Sequence, residues 1–213
     1  MDMRKIKLLS LLVSFILLFF IVFKIVGLLG WNKGAERMSL LPEGFQLDGE
    51  GDIIFGSPDA GCSVYLFANY RCQFCLSFFK EGLPQILDDY DGKVKVVFKP
   101  ILFSHTQEEM DALRMAVSVF KYGDYLPFHT LLLRDPDVIY ADSYKDYLME
   151  IMGLNSAIAN SYFDDATKKY IDDNKKMFKE LKIKGTPGFV VDKHVITGFS
   201  NMKLLLDNKF KSK

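Results

Sequence analysis

Two cysteines three residues apart, in Arg71-Cys72-Gln73-Phe74-Cys75, are the residues of this chain whose type and spacing most directly carry a chemistry. They follow an apolar run, Val64 to Ala68, and open a stretch of helical character. At the first turn of a helix a Cys72 thiolate faces unpaired backbone N–H groups and the positive end of the helix dipole, which lowers its pKa and makes it a nucleophile. Cys75, at i+3 on the same helix face, is placed to attack a mixed disulfide held on Cys72. The spacing predicts a redox dithiol that closes and opens as a Cys72–Cys75 disulfide, with Cys72 exchanging and Cys75 resolving.

Other uses of two such cysteines fit less well. A haem attachment motif needs His directly after the second cysteine, and position 76 is Leu. A structural zinc needs two more ligands at close spacing, whereas His105, His129 and His194 are scattered and Cys62 stands alone. A structural disulfide is the bland alternative, although so short a link constrains little of the chain. The reading calls for no cofactor and no metal.

The elements that must position the pair are legible from periodicity. Ile53 to Phe55 reads as a short edge strand, Gly56-Ser57-Pro58-Asp59 as a turn, and Ser63 to Ala68 as a strand buried on both faces that feeds directly into the dithiol. The helix that follows carries Phe74, Phe78 and Phe79, and Pro84 should kink or end it before Ile86 and Leu87. After a turn at Asp91-Gly92, Lys93 to Lys99 alternates as a half-buried strand closed by Pro100. A helical block comes next: Thr106 and Glu109 form a capping box ahead of Met110, Leu113, Ala116, Val117 and Phe120. Pro127 opens a short helix that Asp135-Pro136 stops, Tyr144 to Met152 makes another ending at Gly153, and Ile171, Phe178 and Leu181 mark a last one before Gly185. Phe189 to Val191 and Val195 to Thr197 read as a hairpin across Asp192-Lys193, with Met202 to Phe210 as a closing helix. The apolar stripes of these helices read as core rather than as a cofactor site. Cys62, starting the central strand in alternation with Val64 and Leu66, reads as a buried, inert thiol.

The N-terminal end bears on compartment. Leu8 to Leu29 is a 22-residue apolar stretch broken only by Lys24, and as a helix it covers roughly 33 Å, enough for a bilayer. Lys24 near its far end can snorkel, and Trp31 suits an interfacial belt. A cleavable signal peptide competes, but its apolar core runs about 7 to 15 residues with an A-x-A-like exit; none is evident here, and the sequence favours an uncleaved anchor. Arg4, Lys5 and Lys7 before the span against Lys33 and Arg37 after it favour a cytoplasmic N-terminus only slightly. A tethered dithiol is most useful where disulfides persist, which places the rest of the chain outside the cytoplasm. The first 30 residues carry four Lys or Arg and one Asp, so of 27 basic and 27 acidic residues, 23 and 26 remain beyond them. That is no nucleic-acid footprint. The expected organisation is a cytoplasmic tail over 1–7, a transmembrane anchor over 8–30, an irregular linker over 31–51 and one globular domain over 52–213.

The order strand, dithiol helix, strand, helical block, two antiparallel strands and terminal helix is that of a thioredoxin-like α/β sheet with a helical insertion at about 105–183. The residues resemble the DsbA-like thiol-disulfide oxidoreductases of the thioredoxin superfamily. The resemblance runs roughly from Asp52 to Phe210 and rests on Gly56-Ser57-Pro58-Asp59-Ala60, on Phe67-Ala68-Asn69-Tyr70-Arg71-Cys72-Gln73-Phe74-Cys75 and on Gly185-Thr186-Pro187-Gly188-Phe189-Val190-Val191. It implies a cis Thr186-Pro187 bond whose loop packs against the dithiol and offers the Thr186 backbone to an extended substrate peptide. It also implies disulfide formation in exported proteins bearing thiols, at the outer side of the cytoplasmic membrane. A quinone-linked membrane partner similar to DsbB or to the vitamin K epoxide reductase group would reoxidise the pair.

Departures from the family pattern leave the direction of electron flow open. Many members carry a buried acid six residues before the first cysteine, where this chain has Leu66, and Gln73-Phe74 stands where DsbA has Pro-His. Arg71 could stabilise the thiolate, or be a solvated surface residue. Together Arg71, Gln73 and Phe74 are the candidate tuning residues. A reductase or isomerase kept reduced from the cytoplasmic side, and a tethered peptide-binding or chaperone module with an incidental dithiol, are the competing functions.

Overall fold

β-branched and aromatic residues set the strands, and the computed structural model orders them as a six-stranded sheet. The strands are β1 (Ser39–Leu40), β2 (Ile53–Phe55), β3 (Cys62–Ala68), β4 (Val94–Pro100), β5 (Gly188–Val191) and β6 (His194–Thr197), in the order β1-β6-β5-β3-β4-β2. Only β3 and β4 pair in parallel, from Cys62 opposite Val94 to Ala68 opposite Pro100. A parallel pair needs a helical crossover, and this one is the dithiol segment: α1 (Gln73–Ser77), a π-helical turn (Phe78–Gly82) and α2 (Leu83–Tyr90). Between β4 and β5 lie α3 (Gln107–Tyr122), α4 (Tyr125–Arg134), a 3₁₀ turn (Val138–Tyr140), α5 (Asp142–Leu154), α6 (Ser156–Phe163) and α7 (Asp165–Glu180), and α8 (Phe199–Phe210) closes the fold. This is the thioredoxin-like α/β fold with inserted helices.

The structure describes residues 38–104 and 106–211, together with Leu18, Phe20 and Lys24. The expected tail, the anchor apart from those three residues, Trp31 and His105 lie outside the described residues. Among the described residues no helix is long and apolar enough to cross a membrane.

Each face of the sheet has its own core. Val64, Leu66 and Ala68 pack with Cys75, Phe78, Phe79 and Ile86 beneath the dithiol helix and with the inner faces of α3 and α4. On the other face Phe67, Ile101, Val190 and Val195 meet Leu47, Leu181 and Ile183.

Several local expectations are corrected. Residues 31–51 read as an irregular linker, yet from Met38 the chain belongs to the folded unit: Ser39–Leu40 adds a strand to β6, and Leu47 is buried. Strand β3 is not buried on both faces throughout, since Ser63 and Tyr65 are half-buried. Pro84 does not stop the helical backbone, although the α-helix is interrupted ahead of it, α1 giving way through the π turn to α2. The proline sits in the first turn of α2, where a missing N–H is least costly, and the π turn ahead of it absorbs the change of register. The capping box is half made: the Thr106 hydroxyl accepts from Glu109 N–H, but the Glu109 side chain turns to other donors. Lys99, read as part of a half-buried alternation, is fully buried because α7 covers that face and Asp52 pairs with it. The extra helix α6 starts at Asn155, whose side chain caps Ala157 and Ile158 N–H.

Candidate functional site

Cys72 is the N-cap residue of α1, with φ −91° and ψ 116°, and is half-buried; Cys75, one turn on, is fully buried. Both are present as unbridged thiols. The Thr186-Pro187 bond is cis, and its loop lies against the pair, with Cys72 Sγ 3.4 Å from the Thr186 carbonyl oxygen, to which the S–H donates. The expected cis bond and its packing against the dithiol are therefore present.

Environment separates the two sulfurs. Burial works to raise the Cys72 thiol, but the Thr186 side chain, the Cys75 amide and thiol and the Phe74 amide favour its thiolate, and the balance falls below the ordinary value. Cys75 is pushed up to about 12, chiefly by burial, with Cys72 adding to the rise and the Asn69 backbone opposing it. At neutral pH the arrangement therefore offers one ionisable, reachable sulfur and one that stays protonated. Leu66, six residues before Cys72, is completely buried, so the proton of Cys75 has no carboxylate at that position.

The candidate tuning residues separate. Arg71 turns away from the sulfurs: its Nη1 donates to the Tyr140 hydroxyl at 2.8 Å, its Nη2 lies 3.5 Å from Asp137 Oδ1, and its guanidinium sits 5.1 Å from the Tyr140 ring centre. Gln73 is exposed. Phe74 is 77 % exposed and forms one wall of a groove of about 460 Å³ floored by Phe78, Pro187 and Phe199. Phe78 stacks edge-on against Phe189 and Phe199 at 5.1 and 5.7 Å, which fixes that floor.

Reading the sequence alone misses two supports. Asn69 O accepts the Cys72 N–H at 3.1 Å, and Asn69 Oδ1 accepts the Arg71 N–H at 2.7 Å; an Asn at the exit of a strand is itself a turn signal. His129, left without a role, is buried with Nδ1 2.8 Å from the Tyr70 hydroxyl and 3.2 Å from that of Tyr125. Burial pushes it down to about 4, so it is neutral at physiological pH. Tyr125 and His129 are one helical turn apart on α4, but no spacing rule links them to Tyr70. Cys62 is buried, as expected, and its thiol is raised by burial against the pull of Lys209. Among the described residues no cluster of three His, Cys, Asp or Glu could hold a metal ion.

A thioredoxin family model matches residues 48–208. The chain belongs to the thioredoxin family that this model describes. Among curated relatives, a Rickettsia bellii protein provisionally named a protein-disulfide oxidoreductase is 23 % identical over 154 residues, covering 70 % of this chain and 59 % of its own. The match thus spans less than two thirds of that relative's length. Among solved structures, oxidised BdbD from Bacillus subtilis has a TM-score of 0.62 at 21 % identity, covering 81 % of this chain and 99 % of its own. Wolbachia pipientis alpha-DsbA1 has a TM-score of 0.58 at 19 % identity, covering 76 % and 92 %. A periplasmic thioredoxin-like protein from Salmonella enterica serovar Typhimurium has 0.59 at 18 %, with the same coverage. At these identities the structures speak to the fold.

Proposed function

We propose that this chain is a membrane-anchored, extracytoplasmic thiol-disulfide oxidoreductase that forms disulfides in exported proteins. The observation that carries the reading is the pairing of an accessible, acidified Cys72, seated against the Thr186-Pro187 loop, with a buried, protonated Cys75. In the oxidised enzyme a client thiolate attacks Cys72 Sγ, the Cys72–Cys75 bond breaks, and Cys75 leaves and takes up a proton. The client's second thiolate then attacks its own sulfur in the mixed disulfide and expels Cys72 as a thiolate. Two electrons have passed to the enzyme, and the client keeps the bridge. The low pKa of Cys72 makes it a good leaving group in that second step. Burial that keeps Cys75 protonated slows its return attack, so the mixed disulfide persists for the client's second thiol.

The groove beside Phe74 suits an extended apolar segment of the client, with Thr186 offering its backbone. A quinone-linked membrane partner, DsbB-like or of the vitamin K epoxide reductase type, returns the pair to the disulfide. The apolar segment 8–30 supplies the anchor. Replacing Cys75 with Ser tests the reading: Cys72-linked mixed disulfides with exported proteins should accumulate, and a chain that only binds peptides traps none. The equilibrium with glutathione sets the direction, since a donor of disulfides lies well above the roughly −270 mV of thioredoxin. A potential at or below that value would assign the chain to reduction instead.

A further inference from the structure

Each of the three residues leading into Cys72 is held by a different part of the helical insertion. Asn69 is held by Glu109 of α3, Tyr70 by Tyr125 and His129 of α4, and Arg71 by Asp137 and Tyr140 around the 3₁₀ turn. Asn69 differs from the other two because its backbone also bears on both cysteines: its carbonyl accepts the Cys72 N–H, and its backbone favours the Cys75 thiolate. Its side-chain amide, 1 % exposed as a residue, is fixed at 2.5 Å from both Ile101 O and Glu109 Oε1.

Glu109 is itself only 2 % exposed, and four donors converge on its carboxylate. Oε1 accepts from Asn69 Nδ2 and from Phe103 N–H at 3.1 Å; Oε2 accepts from Ser104 N–H at 2.7 Å and from the Ser104 hydroxyl. A capping-box glutamate would turn back to the amide of the N-cap residue, and this one is committed elsewhere. It ties the exit of β3, where the dithiol turn begins, to the exit of β4. A carboxylate alone among side chains of this length offers acceptors to all four donors and no donor of its own.

We propose that Glu109 is a positioning residue for the dithiol: by holding Asn69 it fixes the turn that aligns Cys72 with the Cys75 and Phe74 amides and with Thr186. The inserted helices thereby tune a reaction centre that the thioredoxin-like sheet carries. The inference rests on the reading of Cys72 as the exchanging thiol. Loosening Asn69 would let the N-cap geometry drift, weaken the donors that favour the thiolate and raise the Cys72 pKa.

The test uses the full chain with Glu109→Gln, which keeps size but turns an N–H₂ toward groups that are all donors. The pH profile of Cys72 alkylation by iodoacetamide, located by peptide mapping, should move to higher pH. The rate at neutral pH should fall about threefold, which is half a pKa unit. In solution more alkaline than the Cys72 pKa, where the thiolate dominates, the equilibrium with glutathione should shift about threefold toward the enzyme disulfide, because the reduced form loses its stabilised thiolate. A variant that melts earlier while both readouts stay put would make Glu109 merely structural and overturn the proposal. If Glu109→Gln does not accumulate folded, Asn69→Ser removes the amide that Glu109 holds and keeps the backbone; it must show the same shifts, and unchanged profiles overturn the proposal equally. Wild-type Cys72 titrating like an ordinary thiol would count against the proposed function, and the shift between wild type and variant would still decide the role of Glu109.

Discussion

Strands β3 and β4 bury an ionisable group on each face, and the two are handled in opposite ways. On the face away from the dithiol helix, Lys99 is fully buried in an ion pair with Asp52, which also accepts the Tyr170 hydroxyl at 2.7 Å and Gly49 N–H at 3.0 Å. The Tyr65 and Tyr170 rings lie 5.9 and 5.5 Å from its ammonium. Burial pulls the Lys99 pKa down while Asp52 pulls it back up, so the charge is compensated where it stands. On the other face no described cation is paired with Cys75; it is neutral, and its partner Cys72 reaches the surface beside an apolar groove. Burial of a titratable group does not make a site. A site arises where the buried group is coupled to an accessible one whose state it can change.

That contrast breaks most easily on the Lys99 face. Asp52→Ala leaves an ammonium buried without its partner, and such losses cost about 3–5 kcal/mol. Urea unfolding should show a loss in that range, while the alkylation profile of Cys72 in the folded fraction stays where it is in the wild type. Movement of both together would show that the two faces are one coupled system.

The dithiol face has a buried base of its own, and it gives a pH test of similar size. His129 falls from an ordinary 6.5 to about 4 in the fold. The folded state therefore binds fewer protons than the unfolded chain below pH 6.5, so the stability contributed is complete above that value and is lost as pH falls toward 4. The loss is about 3 kcal/mol by the value of a pKa unit. In His129→Phe the hydroxyls of Tyr70 and Tyr125 still bond each other at 2.6 Å, and the acid limb of the stability curve should flatten by that amount. An unchanged acid limb would mean that His129 titrates freely.

These two faces also show what a sequence discloses. The dithiol, its strand, the hairpin and the Thr186-Pro187 loop were legible because each is local: a spacing of three, an apolar run, a turn pair, a proline beside glycines. Lys99 was not, since an alternating strand with lysines reads as half exposed unless one knows that α7 will lie over it and that the edge strand β2 will pair with β4 and bring Asp52 beside it. Arg71 illustrates the same limit in reverse. Its charge beside Cys72 suggested tuning, and only the fold shows it committed to Asp137 and Tyr140. Glu109 looked like a helix cap because its spacing from Thr106 is a local signal, whereas its donors come from β3 and from the loop after β4. Strand β1 escaped because two residues are too few to show a period.

A smaller effect is expected where the Thr186-Pro187 loop meets β5. A Cβ placed on Gly188 would stand 2.3 Å from Ile183 Cγ2 and 3.1 Å from Gly185 O. Gly188→Ala must push one of them aside, at about 1–3 kcal/mol for an overpacked core position. Because the residue adjoins Pro187, the strain should also lower Cys72 reactivity, which separates it from Asp52→Ala. A melting shift with an unaltered thiol would place the give in Ile183 rather than in the loop.

The finest comparison is between the two ways in which Thr186 meets Cys72. Its carbonyl, 3.4 Å from the sulfur, accepts from the thiol and favours S–H. Its side chain favours the thiolate and, after burial, is the largest influence on this group. Thr186→Val keeps the shape and the backbone contact and removes the hydroxyl, so the opposing influences no longer balance. The Cys72 titration should move up, and alkylation at neutral pH should fall by about threefold. Stability follows with the sign of a depressed acid: the wild type gains from the Cys72 thiolate above the ordinary thiol pKa and loses that gain as pH falls through the folded value. Thr186→Val should therefore lose stability in alkaline solution only. If instead the titration moves down, the carbonyl would be the controlling group and the Thr186 side chain a bystander.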